Sequence, residues 1–166
     1  MTSGPTYTPI ATTTLASTTG SYTFSSIPST YTDLVIITNG LATGAGQMSL
    51  QFNGATTNYS STSLNGNGTS AFSQRTITSS NAYMQLGYYD YFETTARATA
   101  ITQIMNYANS TSYKSVISRM NNTATGVGAS VGLWSNTAAI TSITVLPSTS
   151  SWAAGTTFTL YGIASA

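Results

Sequence analysis

The sequence predicts an all-β fold, a single antiparallel β-sandwich and most simply a jelly roll. Three observations carry that prediction. Aromatic and β-branched residues are spread along all 166 residues, eleven Tyr, five Phe and two Trp among them, and such residues suit a half-buried pleated surface. Apolar runs are short or alternating, and turn residues separate them at irregular intervals. No segment of ten or more residues carries the i, i+3, i+4, i+7 apolar stripe of an amphipathic helix. Ser and Thr make up about a third of the chain, which alone would also fit a flexible stalk, but disordered chains are poor in aromatic and β-branched residues.

In chain order, Tyr22-Thr-Phe24 is a short alternating piece broken by Ser-Ser-Ile-Pro28. Asp33 to Thr38 is a nearly continuous apolar run, as expected of a strand buried on both faces, and Asn39-Gly40 ends it. Met48-Ser-Leu-Gln-Phe52 alternates cleanly and runs into Asn53-Gly54, the strongest local hairpin signal. Residues 55–73 are polar, contain Asn65-Gly-Asn-Gly68 and read as a long surface loop. Strands are expected at Tyr83 to Phe92, Thr99 to Tyr107 (whose spacing fits a strand with a bulge or one helical turn, the surrounding β content favouring the strand), Lys114 to Arg119, Ala129 to Trp134, Ile140 to Leu146 with Pro147 as the stop, and Thr156 to Ile163. Eight to ten short strands, with few helix signals and no internal repeat, point to one antiparallel β-sandwich. Residues 1–20 are sparse in apolar side chains and read as an extended N-terminal arm, with the sandwich domain over 21–166.

Composition excludes several function classes. Without His or Cys there is no Ser-His-Asp triad, cysteine nucleophile, zinc site of His/Cys type or disulfide frame. Four Lys/Arg against three Asp/Glu cannot form a phosphate-tracking stripe, so nucleic acid is not expected as a partner. The close acids Asp90 and Glu93 are three apart, on opposite faces of a strand, and read as solubilising charges rather than a paired-carboxylate site. Lys114, the single lysine, could activate Ser112 or Ser115, but a lone strand lysine reads better as a solvated or edge-protecting charge. Gly44-Ala-Gly46 and Gly126-Val-Gly128 lead into no helix and read as turns. The N-x-S/T matches at Asn58, Asn67, Asn109 and Asn121 are no more than the composition gives by chance. Calcium is the one metal the composition leaves open, and no run of alternating Asp/Asn ligands supports it. No catalytic, cofactor or metal residue is assigned, and an enzyme is not expected. The opening residues lack a basic n-region and an apolar h-region, and the longest strongly apolar stretch, Leu34 to Ile37, is far too short to span a bilayer. No membrane association is expected.

Two features point to interaction instead. The run Tyr88-Tyr89-Asp90-Tyr91-Phe92 puts aromatics on both faces of one expected strand, and Tyr couples apolar area to a polar tip at interfaces. Tyr88, Tyr89, Tyr91 and Phe92 are the candidate contact residues, with one row in the core as the alternative reading. Charged residues are only 4% of the chain, against roughly 25% in ordinary soluble proteins. A β-protein with so few charges needs its edges and apolar faces covered, and obligate assembly is one way to do so.

Several pieces of the chain, in order and spacing, resemble a group of small tailed-phage virion proteins of β-sandwich fold. They are Phe24-Ser-Ser-Ile-Pro28-Ser-Thr-Tyr31-Thr-Asp33-Leu34, Leu50-Gln-Phe52-Asn53-Gly54 with Asn58-Tyr59, Asn106-Tyr107-Ala108-Asn109 with Lys114, Trp134 leading into Thr137-Ala-Ala-Ile-Thr-Ser-Ile143, and Phe158-Thr-Leu-Tyr-Gly-Ile163. The likeness runs from about residue 20 to residue 163. Where relatives often carry a basic residue after the Asp-Leu strand, Asn39-Gly-Leu41 stands here. The resemblance implies a virion protein assembled in the host cytoplasm. The expected role is a capsid decoration or cement protein that binds the major capsid protein or other virion proteins as a homotrimer, with Met1 to about Gly20 as a docking arm. The alternative is a tail-fibre or baseplate module that holds a host receptor through the 55–73 loop and the Tyr88–Phe92 patch.

Overall fold

In the computed structural model, residues 6–78, 84–86 and 92–164 are described. They form twelve strands: β1 (Tyr7–Thr14), β2 (Tyr22–Phe24), β3 (Asp33–Gly40), β4 (Met48–Phe52), β5 (Tyr59–Gly66), β6 (Ala71–Thr78), β7 (Met84–Leu86), β8 (Ala98–Met105), β9 (Lys114–Asn122), β10 (Gly126–Trp134), β11 (Ile143–Pro147) and β12 (Thr157–Ile163). An eight-stranded sheet runs in the order β1-β12-β3-β8-β9-β10-β5-β6, and a four-stranded sheet in the order β2-β11-β4-β7. All pairings are antiparallel. The protein is an all-β sandwich, as expected, with layers of eight and four strands.

Aromatic contacts between the layers hold the core. Tyr22 of β2 stacks on Phe158 of β12 at 5.2 Å between ring centroids, and Trp152 meets Phe158 edge-on at 5.3 Å. Phe52 of β4 packs on Trp134 of β10 at 5.6 Å and on Tyr59 of β5 at 6.1 Å. Burial of such rings is the largest apolar contribution a small core can draw on. The Tyr59 hydroxyl donates to the Ala55 carbonyl (3.2 Å) and accepts from the Phe52 N–H (2.8 Å), so its polar end is satisfied inside the core. Close approach is built from small residues. A Cβ on Gly132 of β10 would lie 2.0 Å from Met84 Sδ of β7, and one on Gly40 would lie 2.3 Å from Thr156 Oγ1.

Five expectations are corrected. Residues 55–73 are not a surface loop, because β5 and β6 pair from Tyr59↔Thr78 to Gly66↔Ala71 around the Asn65–Gly68 turn. Ser61, Ser63 and Asn65 take the inward positions of β5, so the strand lacks the apolar alternation that marks strands in a sequence. Asn53 and Gly54 have φ values of 52° and 68° and make the expected tight turn, but it carries the chain from β4 to β5 in the other sheet and closes no hairpin. Gly126 and Gly128 lie within β10, not in a turn. β8 alternates regularly and has no bulge. Within the segment read as an arm, Tyr7–Thr14 forms the edge strand β1, paired along β12 with a register shift between Pro9 and Ala11.

Two outcomes follow from this packing. Gly40→Ala forces its new methyl into the buried, hydrogen-bonded Thr156 and is expected to cost about 1–3 kcal/mol in urea unfolding. Burial pushes the Tyr59 phenol up to about 12, with the Phe52 N–H opposing in part. Because the folded state holds this proton more tightly than the unfolded chain, the associated stability is complete below pH 10. It is lost as pH rises from about 10 through 12, on the order of 2 kcal/mol. Tyr59→Phe should flatten that alkaline limb in unfolding titrations.

Candidate interaction surface

Of the residues proposed from sequence, Tyr88, Tyr89, Asp90 and Tyr91 lie outside the described residues. Phe92 is fully buried, packs edge-on against Trp152 at 4.9 Å and exchanges backbone hydrogen bonds with Gly46. It therefore belongs to the core rather than to a contact surface. Glu93 Oε1 accepts from Asn122 Nδ2 at 3.2 Å.

Lys114, read as a solvated charge, is instead completely buried. Its Nζ donates to the carbonyls of Ser112 (2.7 Å) and Thr137 (3.0 Å), and burial pushes the ammonium down from its ordinary pKa. The Ser112 hydroxyl is bonded to Asn109 Oδ1, while Ser115 points to the opposite face of β9. Lys114 therefore ties two loops together and meets no nucleophile among the described residues. Among the described residues no three His, Cys, Asp or Glu side chains come together as a metal site.

Parts of the motifs that carry the resemblance are tied to one another in the loops near this lysine. Tyr107 donates its hydroxyl to the Pro28 carbonyl and its carbonyl accepts from the Ile140 N–H at 2.9 Å. Asn53 Oδ1 accepts from the N–H groups of Thr141 (2.8 Å) and Ser142 (3.1 Å), while its Nδ2 donates to the Ala139 carbonyl at 2.8 Å. Asn109 Oδ1 caps the turn to Ser112 through the N–H groups of Thr111 and Ser112. Tyr107, Asn53 and Asn109 thus spend their polar atoms largely on neighbouring backbone, while the buried Trp134 indole N–H has no hydrogen-bond partner among the described residues. These bonds are scaffold.

The remaining candidate is the outer face of the eight-stranded sheet. In β10, Ser130, Gly132 and Trp134 face inward, while Val127, Ala129, Val131 and Leu133 are exposed. Leu64 of β5 and Ile117 of β9 flank them, and Leu64, Val127 and Val131 are each more than half exposed. The inner side of the same three strands carries Ser61, Ser63, Asn65, Ser118 and Ser130. There Ser118 and the adjacent Thr102 share a buried hydrogen bond of 2.8 Å. The usual polarity of a sheet is thus inverted locally, with hydroxyls inside and branched aliphatics outside. Arg119 and Arg75 edge this patch, the only charged side chains on the outer face of β8, β9, β10, β5 and β6 among the described residues. An open groove of about 420 Å3 along β8 and β9, lined by Ile101 and Arg119, continues the same surface. These side chains form the main exposed aliphatic surface among the described residues and are the candidate for interaction.

The alternating aliphatics at 127, 129, 131 and 133 were the available sequence signal for this surface. Period-two spacing shows that they share a face but not which face it is. Comparison with protein-family models, curated proteins and solved structures finds no match.

Asn53→Ala removes the hydrogen bonds that fasten residues 139–142. It is expected to lower stability by about 2 kcal/mol, measured by thermal or urea unfolding, without changing the far-UV circular dichroism of the folded protein.

Proposed function

We propose that this protein is a non-enzymatic structural protein of a bacteriophage virion that decorates or cements the head shell, binding it as a homo-oligomer. It would be assembled in the host cytoplasm and act by adhesion, through shape complementarity and burial of apolar surface against the major capsid protein and sister copies. The observation that carries this reading is the exposed aliphatic surface of β9, β10 and β5, centred on Val131. A free monomer gains nothing from Val127, Val131 and Leu64 in water, whereas a partner that covers them gains on the order of 25 cal/mol for each Å2 of apolar surface removed.

The scarcity of charge supports the same reading. Seven charged residues in 166 give weak protection against association, which suits a chain whose working state is an assembly. The resemblance to phage virion proteins supplies the particle, and its motifs contribute scaffold rather than a reactive centre.

Gold-labelled antibody against the protein, applied to intact virions and viewed by electron microscopy, tests the proposal. Label distributed over the head is the expected result. Label confined to the tail or its tip would overturn decoration and favour the receptor-binding module.

A further inference from the structure

We infer that the occupant of the exposed aliphatic surface is the same surface of a second copy of this chain, the two sheets stacking with β10 over β10. The inference rests on the assembly reading above and names the partner of that surface.

Size is the first argument. Five strands from β8 to β6, spaced about 4.8 Å apart and about eight residues long at 3.3 Å each, give a footprint of roughly 600 Å2 per copy. Two copies would bury on the order of 1,200 Å2, the lower end of stable specific interfaces. The surface is also rich in aliphatics and poor in charge at its centre, as in homodimer interfaces.

Register is the second argument. Stacked sheets keep their strand directions within about 30° of each other. A two-fold axis running along β10 satisfies this and places Val127, Val131 and Leu133 of one copy against the same residues of the other. Side chains one strand away on either side are then exchanged. Arg119 of β9, which shares its cross-strand row with Ala129 and Leu64, comes over Leu64 of the other copy, where its aliphatic stem can lie.

Charge is the third. Arg75 lies in the Val131 row, two strands from β10 on one side, and Gln103 lies two strands away on the other. Stacking therefore brings Arg75 of one copy over Gln103 of the other. Gln103 Nε2 is bonded to Asp33 Oδ2 at 2.8 Å, so a carboxylate lies one strand beyond the position the arginine would occupy. Neither Arg75 nor Arg119 has a hydrogen-bond partner or an ion pair among the described residues. The same arrangement keeps arginine from facing arginine.

The chain has no cysteine, which makes a single introduced thiol a clean probe. In sedimentation velocity on the purified chain, a dimer in place of the expected trimer is the result anticipated at micromolar concentration. Val131→Asp and Leu64→Asp, both at exposed positions, should each weaken it about tenfold or more while leaving circular dichroism and Tm near the parent values. Val131→Cys with a short bismaleimide should give a covalent dimer. Thr23→Cys, exposed on the other sheet, should not. A chain that stays monomeric to about 100 μM, a strict trimer, or a dimer indifferent to both aspartates would overturn the inference. Monomer together with gold label on the head would overturn this inference alone. A dimer broken by Val131→Asp with no head label would overturn the virion reading and leave the pairing standing.

Discussion

The placement of Trp134 governs the surface of this molecule. Its indole lies nearly parallel to Tyr59, 17° between ring planes at 6.1 Å, and tilted against Phe52, and it is buried in the gap between the sheets. Side chains alternate along a strand without exception in a regular ladder. Once Trp134 points inward, Gly132 and Ser130 must follow it, and Leu133, Val131, Ala129 and Val127 must point out. The register of β10 is fixed on both sides by β9 and β5 over its whole length, so the outward aliphatics cannot be relieved by a slip of one residue. One aromatic anchor therefore sets which residues of β10 face the core and which face outward.

The inward residues are as consequential as the outward ones. The missing side chain at Gly132 leaves room for Met84 to reach the large sheet from β7, and a methionine adapts well to such an irregular gap. Serine hydroxyls beside it form short local bonds such as Thr102 to Ser118. Nearly all specificity at the loop end comes from neutral groups, with Asn53, Asn109 and Tyr107 bonded to backbone. Buried Lys114 is the exception, and two carbonyls stabilise its charge without a carboxylate. A chain with so few charges positions its loops by amide and hydroxyl geometry instead of ion pairs.

Much of the fold was legible in the sequence, and the failures have specific physical causes. The continuous run at Leu34 to Ile37 and the alternation at Phe158 and Leu160 announced β3 and β12, because their inward residues are apolar. The hairpin of β5 and β6 was missed because its inward residues are Ser61, Ser63 and Asn65, and a polar-lined strand carries no hydrophobic period to read. β1 was missed for a related reason, since Thr and Pro dominate it and its role as an edge depends on β12, about 150 residues later in the chain. The candidate surface was half legible. The stripe at 127, 129, 131 and 133 was visible, but its direction depends on Trp134 finding Tyr59 and Phe52, which is a tertiary fact. Phe92 shows the reverse error: an aromatic cluster suggested contact with a partner, and the ring is committed to Trp152.

The shift of register at Pro9 and Ala11 gives the β1 margin of the large sheet a different character. Pro9 presents no N–H, and the irregularity beside it breaks the even spacing of peptide groups along the strand. A strand arriving from another molecule would find no continuous template there. Backbone geometry thus guards this margin against strand addition around Pro9 and Ala11, in a protein that has almost no charge with which to do it.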